Sequence, residues 1–413
     1  MKKILSPIVV LFAAATVLAF GGKDQGMVET DKVYVIETPA FYPTVDVHVH
    51  MQPAPEAYDL AVKSMDAAGV AVTINLSGGS GETLDKNLEL ARKYPGRFVT
   101  FCGVRARGDE WKAPDIGEKF AKSIQESHDK GAVGFGETVK WALHGNINWD
   151  DPRLEPMWNK LEELHMPINW HVGDPSRYWW PESPYNTLEG PSYYKNAPLK
   201  QELLMQQERV LEKHPNLIVI ASHSNYLMDE IPLLVYRFEK YPNYNIDISA
   251  ATEEWGRVPE EFLHIAHDYQ DRIFYGTDAS YGADDVTANG DIDKAVARFK
   301  AFHVAHFLFL GTSQKMIPCP FNGNYGCHLI YWEKGYTRYA NDGVALPKDI
   351  LEKIYYKNAE RMFGIKVADW KPETPVSFET KADWQLPEPP GARRRGQPRL
   401  ESTPAGQAPA AAM

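Results

Sequence analysis

The sequence predicts a single-domain α/β fold in which eight parallel strands, each followed by a helix, close into a barrel. Three observations lead to this prediction. Short apolar runs rich in β-branched residues alternate with helical patterns along most of the chain, which is typical of repeated βα units. Eight such runs occur between residues 44 and 276. Histidine or aspartate follows runs one, five, six and eight, and a barrel brings these strand ends to one mouth.

Glycine and proline residues separate the predicted strands from the helices between them. Helical patterns at 57–68 and 116–130 stop at Gly69 and Gly131, and a third pattern stops before Pro95. Both residue types interrupt regular structure and mark turns. The predicted strands are residues 44–50, 70–76, 98–104, 133–139, 167–172, 217–222, 244–249 and 272–276.

An open, doubly wound sheet is the main alternative, because it also alternates strands and helices. The glycine-rich dinucleotide turn of such folds does not follow the first run, which ends at His50. An open sheet would also spread its strand ends along a line, whereas a barrel converges them. The (β/α)₈ or TIM barrel is therefore the preferred prediction.

The two ends of the chain differ in composition from the centre. Lys2 and Lys3 precede an apolar stretch at 8–20, which is shorter than the roughly 20 residues of a membrane span and typical of a secretory signal peptide. An uncleaved membrane anchor is the alternative. The predicted segments are a signal peptide at 1–21, a barrel domain at 40–365 and a Pro-rich, disordered tail at 366–413. We expect an exported protein, periplasmic or extracellular, without stable membrane insertion after cleavage.

The composition and net charge limit the classes of partner that the protein is expected to bind. The 413 residues are 44% hydrophobic and carry a formal charge of -11, which permits a large core and disfavours nucleic acid or an anionic membrane surface as partners. We expect a small-molecule substrate, and the oligomeric state stays open, with a homo-oligomer as one alternative.

The chain has three cysteines, too few for a disulfide scaffold. Cys319 and Cys327 flank a short loop, but spacing alone does not establish a disulfide.

Histidines and an aspartate at the ends of predicted strands are the candidate metal ligands. His48 and His50 lie two apart at the end of the first strand and share a face. His171 closes the fifth strand, His223 follows the sixth and Asp278 follows the eighth. Imidazole and carboxylate groups that converge in this way suit a divalent metal such as zinc. By contrast, the histidines at 303 and 306 lie among phenylalanines in a helical pattern, and we predict that they pack in the core.

The ordered set of Asp46-x-His48-x-His50, His171, His223 and Gly276-Thr277-Asp278 resembles the amidohydrolase superfamily. Segments 161–168 and 350–359 are similar to its amidohydrolase-related branch of metal-dependent hydrolases and decarboxylases. The resemblance implies that His48, His50, His171 and Asp278 bind a divalent metal, most often zinc. It also implies that His223 either supports the ligands from behind or is the catalytic histidine, and that Asp278 also takes a proton from the metal-bound water.

The fourth strand departs from the binuclear members of that superfamily, which place a bridging lysine or acidic residue there. This chain offers Glu137 and Lys140. Glu137 is a candidate metal ligand, with a hydrogen-bonding role at the barrel mouth as the alternative, and Lys140 is the weaker candidate. The sequence therefore leaves open whether one or two ions bind.

A long connection at 173–197 follows His171 and is rich in aromatic residues. Loops after barrel strands build the pocket wall, so Trp179 and Trp180 are predicted to contact a ring-containing substrate, with packing of the loop onto the barrel as the alternative. Arg177 is the candidate for a substrate carboxylate, because its planar guanidinium matches one.

These observations predict an exported, metal-dependent hydrolase that acts through a metal-activated water on an ester, lactone or amide of a small ring-containing substrate. The first alternative is a non-oxidative decarboxylase or hydratase that uses the same metal barrel. The second is a catalytically idle barrel that only binds a ligand. A complete set of metal-competent residues beside an acid/base group, Asp278, disfavours the idle barrel.

Overall fold

The computed structural model describes residues 43–139, 141–179, 194, 197–313 and 343–373, with the backbone alone at 138, 139, 177 and 253. Within these ranges the strands are β1 (Thr44–Met51), β2 (Val70–Asn75), β3 (Phe98–Thr100), β4 (Phe135–Val139), β5 (Ile168–His171), β6 (Val219–Ala221), β7 (Tyr244–Asp247), β8 (Ile273–Phe274) and β9 (Ala279–Tyr281). The predicted α/β class with parallel strands is confirmed, since every pair of these strands runs parallel.

The helices of the described ranges follow the strands in order. They are α1 (Pro55–Ala68), α2 (Gly81–Ala91), α3 (Ile116–Asp129), α4 (Glu155–Glu163), α5 (Lys200–Lys213), α6 (Ile231–Lys240), α7 (Thr252–Trp255), α8 (Pro259–Asp268), α9 (Asp285–Asn289), α10 (Ile292–Gly311), α11 (Lys348–Glu352) and α12 (Asn358–Phe363). Helix α1 shows why the boundaries fall where they do. Pro55 supplies a preset φ at its first position, and Gly69 ends it with a left-handed φ of 78°.

Two sheets join into a ring. One has the order β3-β2-β1-β9 and the other β4-β5-β6-β7-β8. A parallel bridge between Cys102 and Phe135 links β3 to β4. On the opposite side, the Val47 N–H donates to the Tyr275 carbonyl at 3.0 Å. The strands therefore close on themselves as a barrel, with their carboxyl ends at one mouth.

The eighth strand of the barrel is interrupted, which the sequence does not predict. Its predicted range, 272–276, forms only the two-residue β8, and the chain then turns before β9 resumes beside β1. The turn is fixed by Thr277, whose hydroxyl donates to Asp46 at 2.6 Å. A side-chain bond to a distant strand is invisible to local periodicity.

The chain packs on the barrel beyond the predicted domain boundary at 365. Val367 is buried in the same apolar cluster as Val45 and Val72, and the Arg97 guanidinium lies over the ring of Trp370. Burial of these side chains holds the segment to the barrel surface. The predicted signal peptide, both loop cysteines and residues 374–413 lie outside the described residues.

Within the described ranges, no helix has both the length and the hydropathy needed to cross a membrane.

Candidate metal centre

The candidate site lies where the carboxyl ends of strands β1, β4, β5, β6 and β8 meet. Because side chains two apart on a strand share a face, both histidines of β1 point into this mouth. His50 is the most open, with 23% of its side chain exposed, and His48 is fully buried. The side chains that converge here are His48, His50, Glu137, His171, His223 and Asp278.

Glu137 occupies the middle of the cluster. Its Oε1 lies 2.5 Å from His171 Nδ1, 3.3 Å from His223 Nε2 and 3.7 Å from His48 Nε2. Its Oε2 lies 3.3 Å from His50 Nε2. The structure thus gives Glu137 a more central position than the sequence suggested, since one carboxylate faces all four imidazoles.

Asp278 closes the open side of the cluster. It follows Gly276 in the gap between β8 and β9, with a left-handed φ of 63°, and its N–H donates to the His48 carbonyl at 2.8 Å. A Cβ on Gly276 would lie 3.0 Å from the His48 Cβ, so glycine permits this close approach. The turn brings Asp278 Oδ1 to 3.2 Å from His50 Nε2 and 3.5 Å from His48 Nε2.

Strand β7 orients two of the histidines from behind. Asp247 Oδ2 lies 2.9 Å from His48 Nδ1, and because an ionised carboxylate only accepts, the Nδ1 carries the proton. The Ser249 carbonyl lies 2.7 Å from His223 Nδ1 and imposes the same protonation. Burial alone would raise the pKa of Asp247, but the His48 imidazole lowers it to about 2. Both histidines therefore present Nε2 to the centre.

The other two histidines have different supports. His171 Nε2 lies 3.2 Å from Asp174 Oδ1, and the Tyr194 hydroxyl donates to Asp174 Oδ2 at 2.6 Å. His50 Nδ1 lies 2.8 Å from the Ser77 hydroxyl. Hydrogen bonds of this kind fix the ring orientation of metal-binding histidines.

Carboxylates and imidazoles shift one another's pKa values in the cluster. Burial alone would raise the pKa of Glu137, but His171 and the hydrogen bonds from His223 and His50 hold it well below its usual range. Burial alone would lower the pKa of both His50 and His223. Hydrogen bonds to Asp278 and Glu137 instead raise the pKa of His50 to about 10. Glu137 and Asp278 likewise raise the pKa of His223 to about 9. Protonated histidines balance the carboxylates, and a divalent cation would do the same.

The donor set fits a divalent metal. His48 Nε2 is buried and makes no hydrogen bond with the described residues, which is costly for a polar atom unless another group takes its lone pair. Ligand atoms about 2.0–2.1 Å from a tetrahedral zinc lie about 3.3 Å apart. The spacings of His48 Nε2 and His50 Nε2 from the Asp278 and Glu137 oxygens, 3.2–3.7 Å, match that edge length.

Six of the predicted site residues come together. His48, His50, His171, His223, Asp278 and Glu137 share the mouth. Trp179 donates from Nε1 to the Pro198 carbonyl at 3.0 Å and packs its ring on Tyr194, so it holds its own loop. Trp180, Lys140 and the Arg177 side chain lie outside the described residues, so the substrate contacts of the loop residues and the role of Lys140 at the metal stay predictions.

Sequence reasoning missed the residues that orient the histidines. Asp247 and Ser249 repeat on β7 and just after it the i, i+2 spacing of His48 and His50, and this pattern of polar residues at a predicted strand end was the available signal. Asp174 follows His171 by three residues. Its position in an irregular loop gave no comparable periodicity.

Comparison with known proteins identifies the class. The family model described as Amidohydrolase matches residues 45–365, which is well over half of the chain. The chain therefore belongs to the amidohydrolase family, whose superfamily comprises metal-dependent hydrolases and decarboxylases. Among curated proteins, none matches the sequence.

Several solved structures are similar. They include an uncharacterized TIM-barrel protein from Bordetella bronchiseptica (17% identity, 78% of this chain and 98% of that one, TM-score 0.47). A 5-carboxyvanillate decarboxylase from Novosphingobium aromaticivorans, complexed with manganese and 4-hydroxy-3-methoxy-5-nitrobenzoic acid, has 15% identity over 82% of this chain and 100% of that one (TM-score 0.45). A dihydroorotase from Campylobacter jejuni has 10% identity over 82% of this chain and 87% of that one (TM-score 0.42). All three TM-scores lie below 0.5, and family membership rests on the match over residues 45–365.

Proposed function

We propose that the chain is an exported, metal-dependent hydrolase that acts on an ester, lactone or amide of a small ring-containing substrate. Export is supported by Lys2, Lys3 and the apolar stretch at 8–20. A metal is supported by the family and by the six converging side chains. The ring preference is supported only by the aromatic composition of the loop at 173–197.

One observation carries the hydrolytic assignment. Asp278 is a carboxylate held against two candidate metal ligands, His48 and His50, on the side of the cluster that is partly open. Burial alone would raise the pKa of Asp278, but the hydrogen bond from His50 and the nearby imidazoles of His48 and His223 lower it. Asp278 is thus ionised at neutral pH and can accept a proton from a water that enters beside it.

The site would hold one or two metal ions, most often zinc. The ligands would be His48, His50, His171, Asp278 and Glu137. When bound, a divalent metal there would supply Lewis acidity, which lowers the pKa of water and polarises a carbonyl oxygen.

The residues of the chain then move the protons. Asp278 takes one proton as the water oxygen forms its bond to the carbonyl carbon, and returns that proton to the leaving oxygen or nitrogen as the scissile bond breaks. His223 faces the same point with Nε2 and, when protonated, donates a hydrogen bond to the carbonyl oxygen. The net reaction adds water and yields an acid with an alcohol or amine.

The test is a substrate panel with product analysis on the mature, metal-loaded chain. Lactones, aryl esters, cyclic amides and hydroxylated aromatic acids should be compared, with an acid and its alcohol or amine as the expected products. Asp278→Asn should lower turnover by roughly 100- to 10,000-fold, the range for loss of a general acid/base. The matched control is Asp268→Asn, an exposed change in α8. Carbon dioxide release from an aromatic acid without any hydrolysis product would overturn the proposal in favour of a decarboxylase.

A further inference from the structure

His223 begins an unusual backbone element. Four consecutive non-glycine residues, His223, Ser224, Asn225 and Tyr226, have φ between 49° and 55° and ψ between 21° and 41°. This is one turn of left-handed helix, which is sterically unfavourable for L-amino acids. A strained turn of this length persists only when its surroundings fix it. We call these four residues the left-handed turn.

Strand β7 and the segment after it hold the first half of the left-handed turn. The His223 N–H donates to Asp247 Oδ1 at 2.9 Å, and the Ser224 hydroxyl donates to the Asp247 carbonyl at 2.8 Å. The Trp255 indole donates to the Ser224 Oγ at 3.1 Å. These bonds fix where the turn starts, but they leave its last carbonyl to other partners.

Helix α5 shares the second half with β7 and the segment after it, where Asn225 Nδ2 donates to the Tyr244 hydroxyl at 2.9 Å and the Tyr226 hydroxyl donates to the Ala250 carbonyl at 3.3 Å. Asn225 Nδ2 donates to Gln207 Oε1 at 2.9 Å, and Lys200 Nζ donates to the Tyr226 carbonyl at 2.6 Å. Lys200 Nζ also lies 3.3 Å from the Ser176 hydroxyl, in the loop after His171. One ammonium group therefore connects the end of the left-handed turn with the loop that follows a second site histidine.

The location of Lys200 is costly for the fold. The residue is only 2% exposed, and burial lowers the pKa of its ammonium to about 8. It is also the first residue of α5, where the positive end of the helix dipole disfavours a cation. An apolar side chain would fill the same space without these costs. The bond to the Tyr226 carbonyl and the nearby carboxylates, Glu230 and Asp174 among them, offset these costs.

The geometry points to Lys200 as a positioning residue for His223, which acts by holding the last carbonyl of the left-handed turn and so fixing the direction of the His223 imidazole. The inference rests on the proposed function, in which His223 faces the reacting carbonyl. Without the bond from Lys200, the turn would relax toward ordinary φ values, and the His223 ring would lose its alignment with the Ser249 carbonyl behind it.

Two protons report this geometry without any metal or substrate. The Trp255 indole N–H, bound to Ser224, reports the left-handed turn, and the His223 Nδ1–H, bound to Ser249, reports the imidazole. Both are observable by nitrogen-15 NMR of labelled metal-free protein. Trp255→Phe and His223→Asn would assign the two signals.

The variant is Lys200→Met, which keeps the stem and removes the donors. Hydrogen exchange of both protons should accelerate by roughly tenfold or more, and turnover should fall by roughly 10- to 100-fold, less than the roughly 100- to 1,000-fold cost of losing one donor to the carbonyl oxygen outright. Lys213→Met is the matched control on the same helix, because Lys213 is exposed. Lys200→Gln, which keeps an N–H donor, should restore part of the protection and provides the test if Lys200→Met does not fold.

Unchanged exchange of either proton would overturn the inference: a stable Trp255 signal means that Lys200 does not hold the turn, and a stable His223 signal means that the turn does not direct the ring. Faster exchange of both with unaltered turnover would also overturn it. A wild-type chain that hydrolyses nothing would refute the proposed function instead, because the two NMR signals require no catalysis.

Discussion

The histidines of the candidate metal centre and those of helix α10 have opposite protonation behaviour. In the candidate metal centre, nearby carboxylates raise the pKa of His50 to about 10 and that of His223 to about 9, against the effect of burial. In helix α10, burial lowers the pKa of His303 to about 3, and the Tyr275 hydroxyl lies 2.7 Å from its Nδ1. The difference shows that carboxylates, rather than burial or histidine itself, distinguish a cation site from a packed core.

The largest expected effect comes from removing the carboxylate that faces all four imidazoles. Glu137→Gln keeps the shape and removes the charge, so zinc affinity of the metal-free chain should fall by about 100-fold or more, at or above the upper range for groups that support metal ligands. Competition with a chromophoric chelator would measure it. Glu162→Gln is the matched control, because Glu162 pairs with His214, which is not one of the site histidines. Equal affinity in both variants would place Glu137 outside the metal centre.

The next effect comes from the carboxylate behind the histidines. Asp247→Asn removes the charged acceptor of His48 Nδ1, and we expect a roughly 10- to 100-fold loss of zinc affinity. The amide also lets the His48 ring change tautomer. Isothermal titration with zinc would show the loss as a weaker binding constant with the stoichiometry retained. A stoichiometry that dropped to zero would instead assign Asp247 to direct metal binding.

A smaller effect is expected at the open edge of the site. Ser77→Ala removes the neutral hydroxyl beside His50 Nδ1, and since His50 is 23% exposed, water can replace that bond. Zinc affinity should fall by less than about tenfold, below the usual range for supporting groups. The same titration as for Asp247→Asn measures it. A loss larger than that of Asp247→Asn would mean that the support of the partly exposed His50 matters more than the support of the buried His48.

The smallest effect on the site is expected from His303→Gln. The unfolded chain binds a proton at this histidine below pH 6.5, whereas the folded chain does so only near pH 3. Its contribution to the free energy of unfolding is therefore present above pH 6.5 and falls with acidity by at most about 1.4 kcal/mol per pH unit. Urea unfolding of variant and wild type between pH 7 and 4 should show a shallower acid loss in the variant, with zinc affinity at pH 7 unchanged.

Much of the fold and of the inner site could be predicted from the sequence, because both depend on local patterns. Alternation and turn residues located the strands, and the spacing of His48 and His50 placed two ligands on one face. The core packing predicted for His303 also agrees with its burial. The interruption after β8, the support of His48 by Asp247 and the left-handed turn depend on contacts between residues about 20 to 230 positions apart, and these contacts leave no local periodicity.

The central claim is that the carboxylate and histidine cluster binds a divalent metal. The most direct test is elemental analysis of the purified chain, before and after reconstitution of chelator-treated protein with zinc or manganese. The account predicts about one ion per chain, or two if Glu137 bridges a pair, and a loss of that metal in a His48→Ala, His50→Ala double variant. A chain that binds no divalent metal after reconstitution, or a double variant that retains the full content, would contradict it.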